Sequence, residues 1–392
     1  MISEEEALER ILSAVSPLPP TEVFLGDALD RFVAADLFAT IPLPPFDNSA
    51  MDGYAVVAES ATKDPRLKIV GEQPAGISKD LSLSAGEAVR IFTGAPMPKG
   101  ADSVVMQEET QREGDFVLVR TKQISEGDFV RQAGVDLAVG QQIIKRGDRL
   151  RPTTLALLAS QGIRSVTVGG HAQVAIVTTG DELVAPGKKL DAGQIFESNG
   201  LILAALVAKA GAKLGLRRHC RDDLDALCGA LRDATQYDVA VISGGVSVGE
   251  RDFVREALLV IGAEIDLWRV AVKPGKPFLF GKRDQCRIFG LPGNPVSTFV
   301  TFLLFVRPVL LQMMGAAEIG LPRTRVRLGD EISGDETRPH YFRGELKDGQ
   351  FKVVGRQESH ALFGLTRANA LLRMKPQENL VAGSEVEVLL LD

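Results

Sequence analysis

The chain has 392 residues, too many for one compact core, and at roughly 150 residues per domain it should divide into two or three domains with extensions. Hydrophobic residues make up 45% and charged residues 24%, which excludes a disordered, collagen-like or coiled-coil chain. Lys and Arg number 45 against 51 Asp and Glu, a net charge of -6 that disfavours nucleic acid as a partner but leaves room for a local basic pocket for a small anion.

In chain order, MISEEEALERIL reads as an acidic amphipathic helix, with neither the basic flank nor the apolar stretch of a signal peptide. The three cysteines (Cys220, Cys228, Cys286) and four scattered histidines have no metal-clip spacing. A cytoplasmic protein is expected, with no membrane partner. The Pro-rich segment Ile41–Val56 marks a boundary. Short alternating runs over 57–130 predict a small β-rich domain, and 136–170 a second β segment around a helix from Pro152. From Gln173 strands alternate with helices, which argues for a parallel sheet covered on both faces. The apolar run Val296–Met314 is broken by Arg307 and Pro308 and reads as a buried helix rather than a membrane span. The last 70 or so residues return to short strands, as in a β-barrel or sandwich. The expected domains are 1–40 plus 136–171, 41–135, 172–318 and 319–392.

Ligands of such sheets bind beyond the C-terminal ends of strands. Five loops are expected on that edge: TTGDE (Thr178–Glu182), RDD (Arg221–Asp223), SGGVSVGERD (Ser243–Asp252), KPGKP (Lys273–Pro277) and LPGNP (Leu291–Pro295). The glycines Gly244, Gly245 and Gly249, with Ser247, suit backbone cradling of a phosphate, or else only a tight strand–helix turn. Lys273 and Lys276 sit on a proline-stiffened loop that could hold an anion at low entropic cost. Asp181, Glu182, Asp222, Asp223, Glu250 and Asp252 offer oxygen ligands for Mg²⁺, or caps for helices. His340 and His360 read as surface or packing residues, and Cys286 as a small buried hydrophobe. The residues alone therefore describe an α/β protein that binds an anionic, phosphorylated small molecule with a divalent metal. They do not specify the reaction.

The succession PPFDNSAMDGYAV, RIFTGAPMPKGADSVVMQEE, IVTTGDEL, SGGVSVGERD, KPGKP and LPGNPVS, spread over essentially the whole chain, resembles the MoeA-type molybdopterin molybdenumtransferases, the family of the gephyrin E domain. The resemblance implies a central α/β molybdopterin-binding domain flanked by β-rich domains, with a C-terminal β-barrel. The implied activity is insertion of molybdate into the dithiolene of adenylylated molybdopterin, with Mg²⁺ and release of AMP. It implies a homodimer whose cleft takes Asp52 from the other subunit, and a molybdopterin adenylyltransferase as partner. Catalytic roles are implied for Asp52, Glu182, Asp222, Asp252 and Lys273, with Glu182 and Asp252 at the metal. Substrate contacts are implied for Thr93, Asp136, Pro292 and Pro295, and molybdate contacts for Lys276, Ser297, Arg343 and Ser359. Arg269 stands where some relatives have Lys. Anion binding is retained there, but the guanidinium is a poor proton carrier. Two other classes compete: the adenylyltransferase itself, which normally lacks such long flanks, and a peptide-binding scaffold of the gephyrin kind.

Overall fold

The computed structural model describes residues 2–246 and 253–391. They form two compact units: Met1–Ala35, Arg146–Leu155 and Arg164–Asp392 in the first, Asp36–Lys145 and Ala156–Ile163 in the second.

The first unit is built on a six-stranded sheet of β1 (Gln173–Thr179), β2 (Lys213–Cys220), β3 (Val239–Ser243), β4 (Glu264–Trp268), β5 (Leu279–Arg283) and β6 (Cys286–Leu291), in the order β2-β1-β3-β6-β5-β4. Strands β2, β1, β3 and β6 are parallel, whereas β5 is antiparallel to both its neighbours. The sheet is thus mixed where an all-parallel one was expected. The cause is local: Arg283 pairs with Cys286 across a tight turn in which Asp284 adopts φ +52°, a left-handed conformation that Asp tolerates. Reversed twice, the chain brings the C-terminal end of β4 to the edge where β1, β3 and β6 end.

Both faces of the sheet are covered. Along β1, Val174 and Ile176 enter one core with Leu203, Val207 and Val300, while Ala175 and Val177 enter another with Leu227, Leu231 and Leu258. That two-residue alternation between two dry faces explains why the strands read as unbroken apolar runs. The N-terminal helix Glu4–Ser13, capped by the Ser3 hydroxyl on the Glu6 N–H, buries Ala7 and Ile11 in the first of these cores.

The apolar run after β6 forms one helical column, Pro295–Thr301 and Arg307–Met313 joined by a π-helical segment, Phe302–Val306. Pro308 lacks an N–H and its ring crowds the carbonyl four residues earlier, so the ladder widens there instead of breaking. The column is apolar enough to span a membrane by composition, but 78% of its apolar stretch is buried.

The chain then closes a five-stranded barrel from β7 (Arg323–Leu328), β8 (His340–Lys347), β9 (Gln350–Val353), β10 (Ala370–Met374) and β11 (Glu385–Leu390), in the order β7-β9-β8-β10-β11. Phe351, Leu372, Met374 and Val388 fill it. Strand β8 has no counterpart in the sequence reading, because its first five residues, His-Tyr-Phe-Arg-Gly, are all buried and carry no polar–apolar alternation.

The second unit holds a mixed six-stranded sheet ordered Ser103–Met106, Gly53–Val56, Glu87–Ile91, Arg66–Gln73, Phe116–Val119, Thr110–Glu113.

Candidate active site

The C-terminal edge of the first unit's sheet opens on a cavity of about 790 Å³. All five predicted loops contribute to it: Thr179, Gly180 and Glu182 after β1, Asp222 after β2, Gly244 to Val246 after β3, Lys273 to Pro277 after β4, and Pro292 to Pro295 with Ser297 after β6. The barrel side supplies Arg338 and the segment from Gln357 to His360.

Backbone proximity sets the strand-edge wall. Gly244 lies at φ +96°, and a Cβ there would stand 2.5 Å from the Thr179 carbonyl oxygen. Gly275, at φ +130°, packs so that a Cβ would fall 2.5 Å from a Thr301 methyl. Hydroxyls and amides complete the wall. Thr179 Oγ1 donates to Asp222 Oδ1 at 2.6 Å, fixing the carboxylate at the cavity. Asn199 Nδ2 donates to Ser243 Oγ at 2.9 Å and to the Gly293 carbonyl at 2.6 Å, tying the loops after β3 and β6 together. Its own Oδ1 is buried with no partner among the described residues.

A few polar side chains hold the barrel-side wall. Arg343, fully buried on β8, donates from Nη2 to the carbonyls of Arg356 and Glu358. Its Nε and Nη1 have no partner among the described residues, and desolvation pulls its pKa down. Gln357 brackets the Arg343 backbone, accepting from its N–H at 2.9 Å and donating to its carbonyl at 3.2 Å. Ser359 then meets the opposite wall, its hydroxyl accepting from Asn294 Nδ2 at 2.7 Å.

The lining therefore combines the cations Lys273, Lys276 and Arg338 with the carboxylates Glu182, Glu197, Asp222 and Glu358. Prolines 274, 277, 292 and 295 stiffen it. Such a set can hold a multiply charged anion at several points while leaving carboxylate oxygens for a hard cation.

Three family descriptions match the chain in succession: MoeA N-terminal region (domain I and II) over residues 2–162, probable molybdopterin binding domain over 175–312, and MoeA C-terminal region (domain IV) over 325–391. A Haemophilus influenzae protein named molybdopterin molybdenumtransferase is 33% identical over 99% of this chain and 98% of its own length. The chain belongs to the molybdopterin molybdenumtransferase family. A relative of the same name from Nostoc is 38% identical over 94% of this chain and 88% of its own. Among solved structures, a molybdopterin biosynthesis MoeA protein from Pyrococcus horikoshii superposes with a TM-score of 0.82 at 32% identity, over 100% of this chain and 99% of that one.

Of the residues that the sequence and the family resemblance singled out, the structure gathers Glu182, Asp222, Gly244, Gly245, Lys273, Lys276, Pro292, Pro295, Ser297 and Ser359 around one cavity. Ser247, Gly249 and Asp252 lie outside the described residues. Arg343 stands behind the wall, not in it. Arg269, at φ +76°, turns its guanidinium over the Trp268 ring, 5.0 Å from the centroid, and does not line the cavity.

Asp52, Thr93 and Asp136 belong to the second unit. There Asp52 Oδ1 accepts from the Thr93 N–H at 2.7 Å and its hydroxyl at 2.8 Å. The Thr93 backbone N–H, then its hydroxyl, hold the Asp52 carboxyl below the usual carboxylate range. Asp47 caps the Ala133 N–H at 2.7 Å. Asp136 is exposed on its own segment.

Reading the sequence missed Asn199, Arg338, Gln357, Glu358 and Asp335. Asn199 opens the apolar helix Asn199–Lys209, and the others lie in polar turns whose composition matches any solvated loop, so only the fold separates them. His360, expected at the surface or in packing, lines the cavity. His340 is buried against Phe342, with ring centroids 3.9 Å apart, and burial, then the Lys273 charge, brings its pKa down to about 4. Burial pushes the Cys286 thiol up to about 12.

Proposed function

We propose that this chain is a molybdopterin molybdenumtransferase that inserts molybdate into the dithiolene of adenylylated molybdopterin and releases AMP, a step of molybdenum cofactor biosynthesis. The observation that carries the reading is the convergence of all five strand-end loops on one cavity lined by Lys273, Lys276 and Arg338 and by Glu182 and Asp222. Molybdate is a tetrahedral dianion, and the substrate's pyrophosphate linkage is a second anion. Binding both in one cavity needs several fixed cations and hydroxyl donors. Lys273 and Lys276 supply point charges on a stiff loop, and Ser297 and Ser359 supply hydroxyls beside them. The role assigned to Asp222 is that of a carboxylate oriented at the cavity by the Thr179 hydroxyl.

The reading includes Mg²⁺. Among the described residues no group of three or more His, Cys, Asp or Glu could cage a metal, but Glu182 and Asp222 bring oxygen-only donors to the cavity. That fits a dication completed by substrate phosphates and water, and Glu182 is assigned to it, with Asp252 as the second candidate. The bound ion would shield the negative charge of the phosphoanhydride. The protein is further proposed to be a cytoplasmic homodimer that receives its substrate from a molybdopterin adenylyltransferase.

The test is incubation of the protein with adenylylated molybdopterin, Mg²⁺ and molybdate, following AMP and active cofactor. AMP release that requires all three supports the reading. Release of pyrophosphate from ATP and molybdopterin instead would assign the chain to the adenylyltransferases.

A further inference from the structure

Asp335 does not line the cavity, yet it holds a cation that does. The Lys273 ammonium lies 2.9 Å from Asp335 Oδ2. The other oxygen, Oδ1, is committed to the turn that follows. It accepts from the Thr337 N–H at 3.0 Å, the Arg338 N–H at 3.1 Å and the Thr337 hydroxyl at 3.1 Å. Burial alone would push this carboxyl up. The Thr337 amide, the Lys273 ammonium and the Thr337 hydroxyl together outweigh burial and keep it well below the usual carboxylate range.

The Lys273 main chain is held from the same side. Its N–H donates to the Pro339 carbonyl and its carbonyl accepts from the Tyr341 N–H, both at 2.8 Å. With backbone and ammonium both tethered to the barrel, this lysine has little rotamer freedom left to lose when an anion arrives. The Asp335 turn also places Arg338, which lines the cavity and donates from Nη1 to the Val272 carbonyl at 3.2 Å. One carboxylate thus sets two of the cavity's cations.

We propose that Asp335 is the positioning residue of Lys273: it aims the ammonium for turnover and, by its charge, lowers the grip of the resting cavity on oxyanions. The inference rests on the reading that Lys273 serves the transfer. Its signature is a split between binding and turnover, because removing the charge strengthens the cavity's attraction for anions while releasing the lysine from its working orientation.

Asp335→Asn keeps an acceptor for the Thr337 and Arg338 amides and deletes the charge. Molybdate affinity is measured by calorimetry on the full chain, and AMP release at saturating molybdate, for the wild type, D335N, K273A and the double variant. The expected result is that D335N binds molybdate several-fold more tightly but releases AMP about tenfold more slowly. In the double variant D335N should add nothing to the loss caused by K273A. If D335N weakens binding and turnover together with thermal stability, Asp335 is a structural residue and the inference is overturned. It is equally overturned if D335N slows the K273A background as much as it slows the wild type. Slow K273A with wild-type D335N sinks the positioning role alone; wild-type turnover in K273A sinks the reading of the loop as well.

Discussion

The two walls of the cavity are made in different ways. The strand-edge wall is mostly backbone. Gly244 passes under the Thr179 carbonyl, Gly275 packs on Thr301, and prolines stiffen the loops between. The barrel-side wall is one irregular segment held by polar side chains, chiefly the buried Arg343 and the half-buried Gln357. A wall of glycines and prolines leaves a readable motif, since only those residues permit the geometry. A wall held by hydrogen bonds to carbonyls does not, because many polar side chains could make them and only the fold selects which does.

If that contrast is right, the largest effect should come from the barrel side. Arg343→Ala removes a fully buried side chain and strands two carbonyls, and should cost about 3 kcal/mol or more in denaturant unfolding. Arg343→Met should regain part of that stability by filling the space, yet not restore turnover, since the Arg356 and Glu358 carbonyls stay untethered. Equal stability of all three proteins would erase the distinction between the walls.

Gly244→Ala tests the other wall. A Cβ meeting the Thr179 oxygen at 2.5 Å with φ at +96° should cost about 2–3 kcal/mol, read as a lowered melting temperature. An unchanged melting curve would show that the loop yields and that backbone proximity does not shape this wall.

Lys276 separates charge from architecture. It is exposed on the loop after β4, so Lys276→Ala should leave stability within about 0.5 kcal/mol of wild type. Activity at limiting molybdate should fall tenfold or further, the loss of about 1.5–3 kcal/mol from one charge-assisted contact. Wild-type activity would make the KPGKP loop scaffold only.

A further test concerns the joint between the walls, where His340 pairs with Lys273. Its folded pKa of about 4 lies below the ordinary 6.5, so below 6.5 the unfolded chain binds the proton more readily than the folded one. The stabilisation is complete above 6.5 and is lost as pH falls towards 4. A loss of about 2–3 kcal/mol over that window is expected in the wild type, and His340→Phe should flatten it. An identical acid limb in both proteins would mean that His340 titrates normally.

The sequence was most legible where two physical demands coincide. Val174 to Val177 must be apolar for both cores at once, so β1 and its relatives stood out, and the loops at their ends followed. The reversed β5 did not, since a buried antiparallel strand has the same composition as a parallel one. Strand β8 was hidden because its buried first residues, His340 and Arg343 among them, show no polar–apolar alternation. The family resemblance placed Arg269 at the anion site, but its backbone is left-handed and its guanidinium lies over Trp268. Nothing in spacing joins Asp52 to Thr93, 41 residues apart, and their pairing came into view only with the fold.

The short bridge between the loop after β4 and the start of β8 also has a kinetic meaning. The amide hydrogens of Lys273 and Tyr341 are each donated across it, to Pro339 and Lys273 respectively. They can exchange with solvent deuterium only when barrel and sheet part at that seam. Their protection factors therefore read the opening of the seam directly. They should rise together when an anion occupies the cavity, while amides deep in β1 and β3 stay at the limit set by global unfolding.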